Sequence, residues 1–119
     1  MMITIYALSD PRTQDVYYVG QTYKSLGWRL QRHLKKARGS SIAQVHQWIR
    51  LLLKQGIYPQ ILYLDTVPFE IGTEAEQWWM DYYNSVRPLL NQLEARDGPP
   101  RGSRKTTHYK VRKYRKKTR

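Results

Sequence analysis

A chain of 119 residues with a formal charge of +12 and no cysteine is long enough for one domain with its own core. It cannot build a disulfide, a thiolate metal site or a cysteine nucleophile. The charge is lopsided: residues 1–97 carry 11 Lys/Arg against 9 Asp/Glu, whereas residues 98–119 carry 10 Lys/Arg and no acid. No stretch approaches ~18 consecutive apolar residues, and the N-terminus lacks a signal peptide's basic flank and apolar run, so a cytoplasmic chain with no membrane partner is expected.

Taken in order, Met2–Leu8 predicts a first strand, and Ser9-Asp10-Pro11-Arg12 a turn. Val16–Gly20 predicts a second strand that completes a hairpin. Alternation along it sends Tyr17 and Tyr18 to opposite faces. Ser25 is the expected N-cap of a helix that runs to Arg38, before Gly39, with Leu26, Leu30, Leu34 and Ala37 on one side. Arg29, Arg32, His33 and Lys36 form the neighbouring stripe. A second helix is expected over Ser41–Gln55, with Ile42, Val45, Ile49, Leu52 and Leu53 inward and Gly56 as its stop. Ile61–Val67 reads as a third strand. Thr73-x-x-Glu76 is spaced as a capping box for a last helix that ends near Asn84.

The expected order ββααβα gives an α+β fold: a small three-stranded antiparallel or mixed sheet flanked by helices, followed by a basic tail. The Gly- and Pro-rich stretch Asp97–Ser103 separates a globular unit at 1–97 from the tail at 98–119. A near-neutral body with a cationic tail points to a polyanionic partner. Tyrosine is unusually common at ten residues, beside four tryptophans, and rings of this kind can stack on bases rather than pack.

The chemistry-bearing residues are few. Phosphate-binding glycine loops and paired metal-ligand spacings are absent. What remains is a hairpin presenting tyrosines, Arg29 and His33 one turn apart on one helix face, and Glu76 at the start of the last helix. A capping box favours glutamate at that position for the helix's own sake, so a purely structural role for Glu76 stands beside a functional one.

These residues resemble the GIY-YIG nuclease domain over about residues 2–92. The first family motif falls on Thr4-Ile5-Tyr6 and the second on Tyr18-Val19-Gly20. The Arg-x-x-x-His pair falls on Arg29 and His33, the metal-binding glutamate on Glu76, and the late asparagine on Asn91. Thr4 departs from the family's glycine. Gly56-Ile57-Tyr58 spells the first motif literally but sits at a helix stop, with no second motif behind it.

The resemblance implies a Mg²⁺- or Mn²⁺-dependent endonuclease that hydrolyses DNA phosphodiesters to 5′-phosphate and 3′-hydroxyl ends. Tyr6, Tyr18, Arg29, His33, Glu76 and Asn91 would be catalytic, with Glu76 holding the metal. A bacterial or phage-encoded setting, and a monomer or weak dimer acting on duplex, branched or single-stranded DNA, all fit. Arg32 and Lys36 on the helix, and Arg104, Lys105, Lys110, Arg112, Lys113, Arg115, Lys116 and Lys117 in the tail, are the expected phosphate-binding residues, with little sequence preference. The alternative is a nucleic-acid-binding or assembly protein that keeps the fold without turnover.

Overall fold

The middle strand of a small sheet must be covered on both faces, and one segment here is apolar enough for that place. In a computed structural model describing residues 1–91, β1 (Met2–Ser9) lies between β2 (Val16–Thr22) and β3 (Gln60–Pro68), and both pairings are antiparallel. The remaining elements are α1 (Leu26–Arg38), α2 (Gln44–Lys54), a 3₁₀ turn (Phe69–Ile71) and α3 (Gly72–Asn84). The fold is α+β with the expected ββααβα order. No helix among the described residues is long and apolar enough to cross a membrane.

The sheet separates two apolar layers. Ile3, Ile5 and Ala7 of β1 pack with Val16, Val19, Val67, Ala75 and Met80 on the α3 side. Tyr6 and Leu8, pointing the other way, pack with Leu34 and Ala37 of α1 and Val45 and Ile49 of α2. Tyr6 is completely buried, although its strand neighbours are aliphatic. The β1–β2 turn closes on Asp10, whose main-chain carbonyl accepts from the N–H groups of Thr13 and Gln14. The Arg12 guanidinium and N–H, bound to the Asp10 carboxylate, hold that carboxyl below its usual range.

The first helix begins as its sequence predicts: Ser25 Oγ accepts from the N–H of Trp28 at 3.1 Å. The second starts later than expected, at Gln44, and Ile42 is 84 % exposed rather than inward. The cause lies in side chains that bind the lead-in segment. Ser41 Oγ is engaged by His46 and by the N–H of Ala43, while Arg50 donates to the carbonyls of Ala37 and Ser41. The end of α2 does follow the sequence: Gly56 takes φ = 74°, its N–H reaches Leu53 O, and the N–H of Ile57 reaches Leu52 O. Gly56-Ile57-Tyr58 is therefore a helix stop leading into β3.

The capping box at Thr73 does not form. The 3₁₀ turn establishes helical geometry early, so α3 begins at Gly72, with Thr73 already inside it and no side chain capping the start. Glu76 thus lies beyond the position from which it could cap, and the competing structural reason for that residue falls away.

Candidate active site

The site assembles beside β2, one of the sheet's two edge strands, where both helical layers meet. A cavity of about 270 Å³ is lined by Tyr18 of β2, Arg29, Arg32, His33 and Lys36 of α1, Glu76 of α3, and Asn91. Ala43, Val45 and His46 complete its wall. Residues separated by up to 73 positions in sequence are thereby brought to one place. Tyr6 lies beneath it, fully buried, with its ring 6.3 Å from that of Tyr18.

Tyr6 organises the floor. Arg29 Nε donates to its hydroxyl at 3.0 Å, and His33 Nε2 lies 2.7 Å from the same oxygen. From there a polar chain continues inward: His33 Nδ1 to His46 Nε2 at 3.1 Å, and His46 Nδ1 to Ser41 Oγ at 2.6 Å. Each imidazole offers one donor and one acceptor when neutral, so this chain can run in either direction without leaving a ring nitrogen unmatched. Burial, then the cation of Arg29, pushes His33 down to about 3, so it is neutral throughout the physiological range. Burial and Lys36 lower His46 in the same sense.

The two motif tyrosines have different places. Tyr6, buried and then opposed by Tyr18, has its hydroxyl pKa pushed well above the usual tyrosine range, and Arg29 only partly offsets this. Tyr18 is also raised, first by burial and then by the Glu76 carboxylate, with Arg29 acting the other way. Only Tyr18 reaches the cavity wall. Burial opposes the charge of Arg29, but its contacts with Tyr6 and Tyr18 more than compensate and keep it cationic.

Gly20 of the second motif is explained by space. A Cβ there would lie 2.6 Å from Tyr6 Oη and 2.7 Å from Tyr6 Cζ, because the two residues face each other in the β1–β2 register. The glycine lets the Tyr6 ring cross the neighbouring strand.

Glu76 is oriented by Gln21, whose Nε2 donates to Oε1 at 3.0 Å. Gln21 itself passes close to the backbone of Gly72. Among the described residues there is no cluster of three or more His, Asp or Glu side chains arranged for a metal ion. A single carboxylate on a cavity wall suits a hard divalent cation that keeps most of its waters.

Tyr17 departs from simple alternation. A bulge shifts the register between Leu8 and Ser9: Leu8 pairs with Tyr18 and Ser9 with Val16, which leaves Tyr17 without a counterpart. Its ring stacks on Trp48 of α2 at 4.7 Å, the Arg87 guanidinium lies 4.1 Å from the ring centroid, and its hydroxyl accepts from Arg87. Tyr17 is thus a packing residue against a helix, on the side of the sheet that α2 covers.

Asn91 makes a two-way clamp. Its Nδ2 donates to Val19 O at 2.7 Å and its Oδ1 accepts from Val19 N–H at 3.2 Å, while Leu90 N–H bonds to Tyr17 O. These bonds satisfy the open edge of β2 as another strand would. The structure gives Asn91 the task of fixing the strand that carries Tyr18.

His46 and Gln21 could not be found from the sequence. Neither belongs to a spaced pattern, and each matters only because tertiary packing places it behind a residue that does. The tail residues Arg104, Lys105, Lys110, Arg112, Lys113, Arg115, Lys116 and Lys117 lie outside the described residues. The chain matches no protein-family model, no curated protein and no solved structure.

Proposed function

We propose that this chain is a metal-dependent endonuclease of the GIY-YIG type, hydrolysing DNA phosphodiester bonds to leave 5′-phosphate and 3′-hydroxyl ends. One observation carries the reading: Tyr18, Arg29, His33 and Glu76, which come from three different elements, share one cavity above the buried Tyr6. Three cations, Arg29, Arg32 and Lys36, face that cavity against one carboxylate. Such a balance suits an anion, and a phosphodiester is the anion that a basic chain meets on nucleic acid.

Each side chain then has a task. The Arg29 guanidinium grips the scissile phosphate and stabilises the charge that grows on it in the transition state. Tyr18 orients the attacking water through its hydroxyl. Its raised pKa makes it an orienting group in the resting protein rather than a standing base. Tyr6 and neutral His33 hold Arg29 and the floor of the site in place. Glu76, held by Gln21, is the residue that would bind Mg²⁺ or Mn²⁺. Such an ion, when bound, supplies neutralisation of charge on the phosphate and the leaving oxygen.

The test is incubation of the purified full chain with supercoiled plasmid and Mg²⁺ or Mn²⁺, beside Glu76→Ala and Arg29→Ala. Nicking by the parent and its loss in both variants are expected. A parent that binds but never cuts refutes the enzyme reading in favour of a silent binding protein. Cleavage that survives both substitutions refutes the assigned site.

A further inference from the structure

Beside the cavity, the segment that leads into α1 and the first turn of that helix leave two large aromatic rings in water. Tyr23 is 66 % exposed and Trp28 is 45 % exposed. Each is flanked by a cation: Lys24 Nζ lies 5.4 Å from both ring centroids, and the Arg32 guanidinium carbon lies 5.7 Å from the Trp28 ring. Trp28 and Arg32 are one helical turn apart and share a face. Arg32 also lines the cavity, and its Nε, buried from solvent, has no hydrogen-bond acceptor among the described residues. A guanidinium that sits beside an exposed indole and also lines a cavity with two further cations is placed to receive an anion. The whole of α1, with Arg29, Arg32, Lys35, Lys36 and Arg38, contains no acid.

We infer that Tyr23, Trp28 and Arg32 form a platform for an unpaired DNA strand, with the rings stacking on bases and Arg32 taking an adjacent phosphate. Rings and cations interleave here, as bases and phosphates do along a strand. An unpaired base offers a free π-face to a protruding ring, whereas a base in duplex DNA has both faces covered by its neighbours. A purely apolar protein partner would gain nothing from the interleaved charges. The inference rests on the nuclease reading for its substrate and directs that site toward DNA with a single-stranded segment at the cut.

Binding is measured by fluorescence anisotropy with labelled oligo-dT and with a duplex of equal length, in metal-free buffer, using the full chain carrying Glu76→Ala. Trp28→Ala is expected to weaken oligo-dT binding by roughly five- to a hundredfold, in the range for loss of one base-stacking ring. Its effect on the duplex should stay under about twofold, because phosphate contacts dominate there. Arg32→Ala should weaken oligo-dT binding as well.

Trp28→Phe, which keeps a ring, should retain most of the affinity while abolishing much of the tryptophan quenching that oligo-dT causes in the parent. That variant serves as the test if the alanine form does not fold. Unchanged oligo-dT affinity in Trp28→Ala, equal losses on oligo-dT and duplex, or unaltered quenching in Trp28→Phe would each overturn the platform. Because cleavage is not read, a platform that fails in a protein that still nicks plasmid fails alone. A platform that holds in a protein that never cuts leaves only the nuclease reading overturned.

Discussion

Replacing Gly20 by alanine tests the geometry of the site without relying on its chemistry. The added methyl would lie 2.6 Å from Tyr6 Oη, 2.7 Å from Tyr6 Cζ and 3.0 Å from Tyr18 Cε2. Comfortable carbon contacts begin near ~3.5 Å, so the Tyr6 ring must retreat by about 1 Å. That ring is fully buried and its hydroxyl is anchored by Arg29 and His33, so the retreat strains the packing and stretches both hydrogen bonds. Overpacking of this kind costs about 1–3 kcal/mol, and two hydrogen bonds contribute about 1 kcal/mol each. Gly20→Ala should therefore destabilise the protein by about 3–5 kcal/mol. In urea denaturation this lowers the midpoint by about 1.5–2.5 M, for a slope of about 2 kcal/mol/M.

A cycle with Tyr6→Phe separates this cause from any general dislike of a side chain in β2. In the phenylalanine background the two hydrogen bonds are already gone and the ring can tilt, so Gly20→Ala should cost only about 1–3 kcal/mol. The coupling between the two positions should then be at least ~1 kcal/mol. A loss below ~0.5 kcal/mol for Gly20→Ala would refute the steric argument. An identical loss in both backgrounds would refute the role assigned to Tyr6.

Other expectations concern single elements of the site. Tyr18→Phe should abolish plasmid nicking with the fold intact, while Tyr17→Phe should leave nicking intact and lose about 1 kcal/mol of stability with its Arg87 hydrogen bond. Gln21→Ala should reduce nicking while sparing DNA affinity, as measured by turnover against binding, because it releases Glu76 without removing a cation. Histidine titration makes the protein acid-sensitive. His33 ionises near 6.5 when unfolded and near 3 when folded, so the unfolded state takes up the proton first. Stability should be full above pH 6.5 and fall by about 2 kcal/mol by pH 5, at 1.36 kcal/mol per pH unit, and His33→Gln should flatten that slope. Deleting residues 98–119 should weaken DNA binding. If about half of the deleted cations contact phosphate, the log–log salt slope should lose about 4 to 5. An unchanged slope removes the tail from recognition.

The amino-acid sequence by itself determined the order and kind of the three strands and three α-helices, because the signals involved are local. Strand and helix periodicities, the Ser25 cap and the Gly56 stop each act within a few residues. The same locality made Tyr18, Arg29, His33 and Glu76 visible as candidates, since each belongs to a short spaced motif. Tertiary packing decided what those signals could not reach. Ser41 looked like the start of a helix, but His46 and Arg50 hold it and its neighbours outside α2. Thr73 looked like a cap, but the preceding 3₁₀ turn had already begun the helix.

Tyr17 should have faced away from Tyr18, yet a bulge, which alternation cannot foresee, sets it against Trp48. Asn91 acquired its clamp on Val19, and His46 its place behind His33, only when segments distant in sequence came together. Local hydrogen bonding and side-chain periodicity are properties of the chain. Which side chain stands behind another depends on how the layers close, and that was settled by the fold.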